Sequence, residues 1–132
     1  MRLLRILLAG VSGFLVDSFL TSMVLVIGVP FLGLQDANQM QLDFDHPAQL
    51  VVLLILPMLM TVIGGALAGA LAPLDAQPAG ALVGGLGLIE LAILGTGQST
   101  NDLVGIIGQC VATILAAVAA VLMARYRMRT GR

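Results

Sequence analysis

Two carboxylates stand where a chain has little reason to place them. Asp17 lies in the run GFLVDSFLTSMVLVIG and Glu90 in the run GGLGLIELAILG, each among Gly, Leu, Ile and Val, with no Lys or Arg close in sequence. An acid in such a setting either handles protons or ions, or stays neutral and fastens helices together through a hydrogen bond. A third use, for an acid at the flank of its helix, is contact with another protein chain. Each residue falls eleven positions into its apolar segment, counted from Ile6 and from Ala79. At a helical rise of about 1.5 Å per residue this is a depth of about 16 Å, near the centre of a bilayer. The two can therefore meet if their helices run the same way. Two carboxylates so placed cannot both ionise comfortably, and one keeps a proton or the pair shares it.

A second constellation is DFDHP, which holds Asp43, Asp45 and His46. Carboxylate and imidazole groups at this spacing are weak candidates for holding a divalent metal. The plainer reading, which we prefer, is that Asp45 or His46 caps a helix whose first residue is Pro47. Cys110 is alone in the chain and sits in an apolar run, which suggests a packed, inert thiol. No nucleophile–base pairing, phosphate-binding glycine loop or HExxH pattern is present. The sequence thus predicts no enzyme, no cofactor and no bound metal.

The elements that must position these residues follow from composition. Hydrophobic residues make up 59% of the 132 residues and charged residues 10%, with a mean hydropathy of +1.08. Soluble domains carry roughly 45–50% and 25%. A chain this small cannot hide so much apolar surface in one core, so lipid must be its solvent. Four apolar segments run from about Ile6 to Gly28, Ala48 to Ala72, Ala79 to Gly95 and Leu103 to Ala124. A hydrocarbon core of ~30 Å requires about 20 helical residues, and backbone groups in lipid must be satisfied within their segment. The expected fold is all-α: a single domain over residues 1–132, an integral membrane bundle of four transmembrane helices.

The connections agree. PLDAQP, bracketed by Pro73 and Pro78, is a tight turn that makes the second and third spans an antiparallel hairpin. In TGQSTND, Ser99, Thr100 or Asn101 can cap the fourth helix. All six basic residues are Arg and lie at the ends, whereas the seven acids lie between them. An even number of spans puts both ends on one side, and the positive-inside rule makes that side cytoplasmic. Because the arginines flank apolar spans, they argue for topology and lipid contact rather than nucleic acid. The expected location is the bacterial inner membrane. A cleaved signal peptide is the competing reading of MRLLRILLAGVSGFLV, but Asp17 interrupts the region where a cleavage site would fall.

Counting about 100° per residue groups the polar residues with small ones. Gly10, Gly13, Asp17, Thr21, Val24 and Gly28 share one face of the first helix. Pro57, Thr61, Gly64, Gly65, Ala68 and Ala72 share one face of the second, and Gly105, Gly108, Gln109, Ala112, Ala116 and Ala119 one face of the fourth. On the third, Gly80, Gly84, Gly87 and Leu91 form the small stripe, with Glu90 roughly 80° to one side. Small residues allow helices to approach closely in lipid. The expectation is a four-helix core with a polar belt of Asp17, Thr61 and Gln109, and Glu90 at its edge.

GFLVDSFLTSMVLVIG and the hairpin TVIGGALAGALAPLDAQPAGALVGGLGL together resemble a loose group of uncharacterised small bacterial four-helix membrane proteins. These carry an acid in a G-x-x-V-D-like first helix and a G-G-x-x-A-x-x-x-A hairpin before the third. The resemblance covers about half the chain, supports the four-helix topology and marks Asp17, but implies no activity. Small multidrug resistance transporters are similar in size and also have a first-helix acid. Here that acid is Asp17 rather than Glu, and the aromatic residues of their drug pocket are missing. Fluoride channels share the size, but GGLGLIELAILG stands in place of their Thr/Ser/Phe-rich third-helix segment. Neither family is assigned.

Small size, negligible soluble mass and small-residue helix faces point to a non-catalytic accessory or scaffold subunit of a larger membrane assembly, respiratory or photosynthetic. The expected partners are membrane lipids and other membrane subunits, or further copies of the chain. The alternative is a proton-coupled small-solute transporter or channel that uses Asp17 and Glu90. Lipid or pigment binding in a groove between spans is a third class, supported by apolarity alone.

Overall fold

The four apolar runs are helices in the structure, a computed structural model that describes residues 1–33, 45–94 and 100–131. Helix α1 spans Arg2–Phe31, α2 Pro47–Leu71, α3 Ala76–Leu94 and α4 Thr100–Thr130. Each contains a stretch long and apolar enough to cross a membrane, and no strand occurs among the described residues. Asp43, Ser99 and Gly95 lie outside the described residues.

Two helices overrun, at their C-terminal ends, the spans drawn from hydropathy. α1 continues past Gly28 and through Pro30 to Phe31. It stops where Gly33 takes φ 71° and donates its N–H to the Pro30 carbonyl at 2.9 Å, a left-handed termination that favours glycine. α4 continues past Ala124 into the arginine-rich tail, with Arg127 and Arg129 in its last turn. Cationic side chains there complement the partial negative charge of a helix C-terminus, so leaving the apolar segment does not end the helix.

Helix α2 begins at Pro47 as the sequence predicts, with His46 as the preceding cap residue. The side chain of His46 does not make the capping bond; its carbonyl instead accepts the N–H groups of Gln49 at 3.0 Å and Leu50 at 3.3 Å. Residues Val51–Ile55 then form a widened π-helical turn just before Pro57. Proline has no N–H for the carbonyl one turn back and its ring crowds that carbonyl. A wider turn lets the ladder pair one residue further along, and this is where such turns arise.

The α2–α3 hairpin is the centre of the bundle. Its two helices touch each other, and each also packs on both outer helices, α1 on one flank and α4 on the other. The hairpin turn Pro73–Asp75 sits at the end that holds both chain termini. There Arg2 Nε donates to Asp75 Oδ1 at 2.5 Å, and the Arg127 guanidinium donates to the Ala70 carbonyl. α1 and α3 therefore run parallel, and α2 and α4 run back.

The interior is built almost wholly from small residues. Ala68, Ala72, Ala79, Ala112, Ala116 and Ala120 are fully buried, and among the described residues Val83 is the largest side chain buried completely. Large apolar side chains point outward instead: Leu15, Phe19 and Ile114 are more than 60% exposed. In water this distribution would be strongly unfavourable. In lipid the tails are as apolar as leucine, and close backbone approach drives the packing instead. Glycine makes that approach possible at the α1–α2 crossing. A Cβ on Gly13 would stand 2.5 Å from the Gly64 carbonyl oxygen, and one on Gly64 2.6 Å from the Gly13 carbonyl oxygen.

Candidate functional site

Fifteen residues beyond the Arg2–Asp75 pair, both parallel helices reach their acid: Asp17 on α1 and Glu90 on α3. The offset between the two helices holds over that distance, because Ser18 meets Glu90 with nearly the same sequence separation as Arg2 has from Asp75. Equal rise on two parallel helices thus carries the register from the end of the bundle to its middle, about 22 Å away.

Asp17 is buried, at 5% exposure, and each of its carboxyl oxygens has a partner. Thr21 Oγ1, one turn along α1, donates to Oδ1 at 3.2 Å, and Thr61 Oγ1 of α2 donates to Oδ2 at 3.0 Å. The Thr61 hydroxyl also lies 3.2 Å from the Pro57 carbonyl. Thr61 has one proton and two lone pairs. With Asp17 ionised it gives that proton to Asp17; with Asp17 protonated it accepts from the acid and donates to Pro57. The site can hold Asp17 in either state without stranding a polar group. Its geometry depends on the Gly13–Gly64 crossing, since Gly64 also lies against the Asp17 β-carbon.

Glu90 sits differently. Its side chain is exposed on the outer wall of the bundle, where Ser18 Oγ donates to Oε2 at 3.4 Å. The two acids line one cleft of about 350 Å³ between α1, α2 and α3, with Ser18, Thr21, Ser22, Pro57, Thr61 and Gly87. Asp17 closes its inner wall, and Ser22 and Glu90 stand at its open side.

The belt expected from helical wheels is divided. Asp17 and Thr61 are brought together, whereas Gln109 is not among the residues lining the cleft. Its amide lies against Gly87 from the α4 side and donates to the Gly84 carbonyl at 3.5 Å. The Gln109 backbone carbonyl accepts from Thr113 Oγ1 at 2.7 Å. The separation arises because α4 packs on the far side of the hairpin from α1. The small residues named from the sequence line these crossings. Gly10 faces Leu82, Gly84 faces Thr113, Gly108 faces Leu54 and Met58, and Ala112 and Ala116 are fully buried.

Among the described residues, no three His, Cys, Asp or Glu side chains come together as a metal site. Asp45 and His46 stand exposed at the start of α2. Cys110 is exposed on the outer face of α4 rather than packed inside it, because the small face of α4 turns toward Ala112 and Ala116. Sequence reasoning missed Ser18 and Ser22 as cleft residues. Their spacing of one turn, adjacent to Asp17 and on the side facing the parallel α3, was the available signal. Comparison of the chain with models of protein families, with curated proteins and with solved structures gives no match.

Proposed function

We propose that this protein is a non-catalytic, multi-pass membrane protein that works as an accessory or scaffold subunit of a larger assembly in the bacterial inner membrane. The observation that carries this reading is the position of Glu90: a carboxyl group exposed on the outer wall of an apolar bundle, level with buried Asp17. A carboxyl group facing hydrocarbon is costly, and such groups almost always face protein or a water-filled cavity. Another chain seated over the strip of Ser18, Ser22 and Glu90 supplies that cover. The positive-inside rule, applied to an end that carries Arg2, Arg5, Arg125, Arg127 and Arg129, puts both termini in the cytoplasm. The resemblance to small bacterial four-helix membrane proteins supports the same setting.

The test is a photo-crosslinking residue in place of Ile93, which is 67% exposed and one turn from Glu90 on α3. In native membranes it should give one discrete protein adduct, while the same residue in place of Leu15 or Ile114 should give mainly lipid adducts. Lipid adducts at all three positions would overturn the reading.

The cleft itself favours a second reading. Two acids, four hydroxyls and an arrangement around Asp17 that tolerates gain or loss of a proton suit a proton-coupled small-solute transporter or channel. Purified protein in vesicles would then acidify or alkalinise the lumen on addition of solute. Flux unaltered by Asp17→Asn and Glu90→Gln would sink that idea.

A further inference from the structure

A second groove lies on the opposite flank, between α3 and α4, with a volume of about 590 Å³. Ala81, Ala117, Val118, Val121 and Leu122 form its walls, and the small residues make it a trough. Thr113 closes its inner end, with its hydroxyl already committed to the Gln109 carbonyl. Gln77 and Arg125 stand at its outer end, both exposed. They also line an adjoining polar hollow of about 300 Å³ with Arg2 and Asp75. The one carboxylate in that hollow, Asp75, is paired with Arg2 at 2.5 Å. Arg125 makes no ion pair among the described residues. The hollow is therefore cationic overall. From Arg125 to Thr113 is twelve residues of α4, about 18 Å, which is close to one leaflet of a ~30 Å hydrocarbon core.

We propose that this groove holds one anionic phospholipid, its phosphate at Arg125 and Gln77 and one acyl chain along the α3–α4 trough. Charge complementarity at the head and a length of one leaflet select a lipid over a partner helix, which would leave Arg125 unneutralised. The inference does not rest on the assembly reading, since the groove lies on the other flank of the hairpin from Glu90.

The experiment uses the full chain in neutral detergent, exchanged with dioleoyl phosphatidylglycerol or dioleoyl phosphatidylcholine and read by native mass spectrometry. One molecule of phosphatidylglycerol should be retained per chain, in preference to phosphatidylcholine. Arg125→Gln should lower retention about fivefold, in line with one arginine–phosphate attraction near a membrane surface. Val118→Trp, which fills the trough, should lower it about tenfold through lost acyl burial. Arg129→Gln, outside the groove, should change it less than about twofold, on the same scale per arginine. Equal retention of the two lipids, an equal effect of Arg129→Gln, indifference to Val118→Trp, or displacement by inorganic phosphate would each overturn the proposal.

Discussion

Replacing Gly13 by alanine and replacing Gly85 by alanine should have opposite effects on stability, although both residues lie inside apolar helices. A Cβ on Gly13 would stand 2.5 Å from the Gly64 carbonyl oxygen and 2.8 Å from Val83 Cγ2, where ordinary contact begins at 3.4 Å. The nearest obstacle is backbone, so relief requires α1 and α2 to separate by close to 1 Å. That movement stretches the Thr61–Asp17 hydrogen bond beyond its present 3.0 Å. Overpacking of this kind costs about 1–3 kcal/mol, and the lost interhelical hydrogen bond about 1 kcal/mol. The intrinsic helix preference for alanine returns roughly 1 kcal/mol. Gly13→Ala should therefore destabilise by about 2 kcal/mol. A Cβ on Gly85 would meet nothing within 4 Å, so Gly85→Ala keeps only the helix preference and should stabilise by up to about 1 kcal/mol. Reversible unfolding in mixed micelles with increasing dodecyl sulfate, followed by helical circular dichroism, measures both. Shifts of the same sign would refute the close α1–α2 approach on which the Asp17 site depends.

Other substitutions test the polar contacts singly. Thr61→Val should cost roughly 1 kcal/mol in the same unfolding assay and Thr61→Ser much less, because serine keeps the donor to Asp17. Asp17→Asn should fold with native helicity, since an amide can still pair with Thr61 and Thr21, whereas Asp17→Leu should lower stability. Arg2→Gln should change stability by less than about 1 kcal/mol, and less still at high salt, as expected for a pair whose arginine is 78% exposed. Gln109→Leu should be nearly silent, because its bond to Gly84 is long at 3.5 Å.

The sequence was most legible where physics acts through simple spacing. Hydropathy located all four helices, and the shared depth of Asp17 and Glu90 followed from equal counts along two parallel helices. The same counting could not show which helices are neighbours. Asp17, Thr61 and Gln109 each lie on a small-residue face, yet α1 and α4 pack on opposite flanks of the hairpin, which parts Gln109 from the cleft. Small-residue stripes say that a helix packs closely without saying on what. Helix ends are less legible than apolar spans for a related reason. The apolar pattern ends before the hydrogen-bond ladder does, so α4 extends into its arginines and α1 to Phe31. The widened turn at Val51–Ile55 had a readable cause in Pro57, but its form depends on how one ladder adjusts.

The central claim is that Glu90 is covered by another chain. Native mass spectrometry after gentle detergent extraction from the source membrane tests it most directly. The account predicts that the chain leaves the membrane in one assembly of fixed stoichiometry. A chain that emerges alone, as a stable monomer, would contradict it and leave the acids of the cleft to be explained by transport.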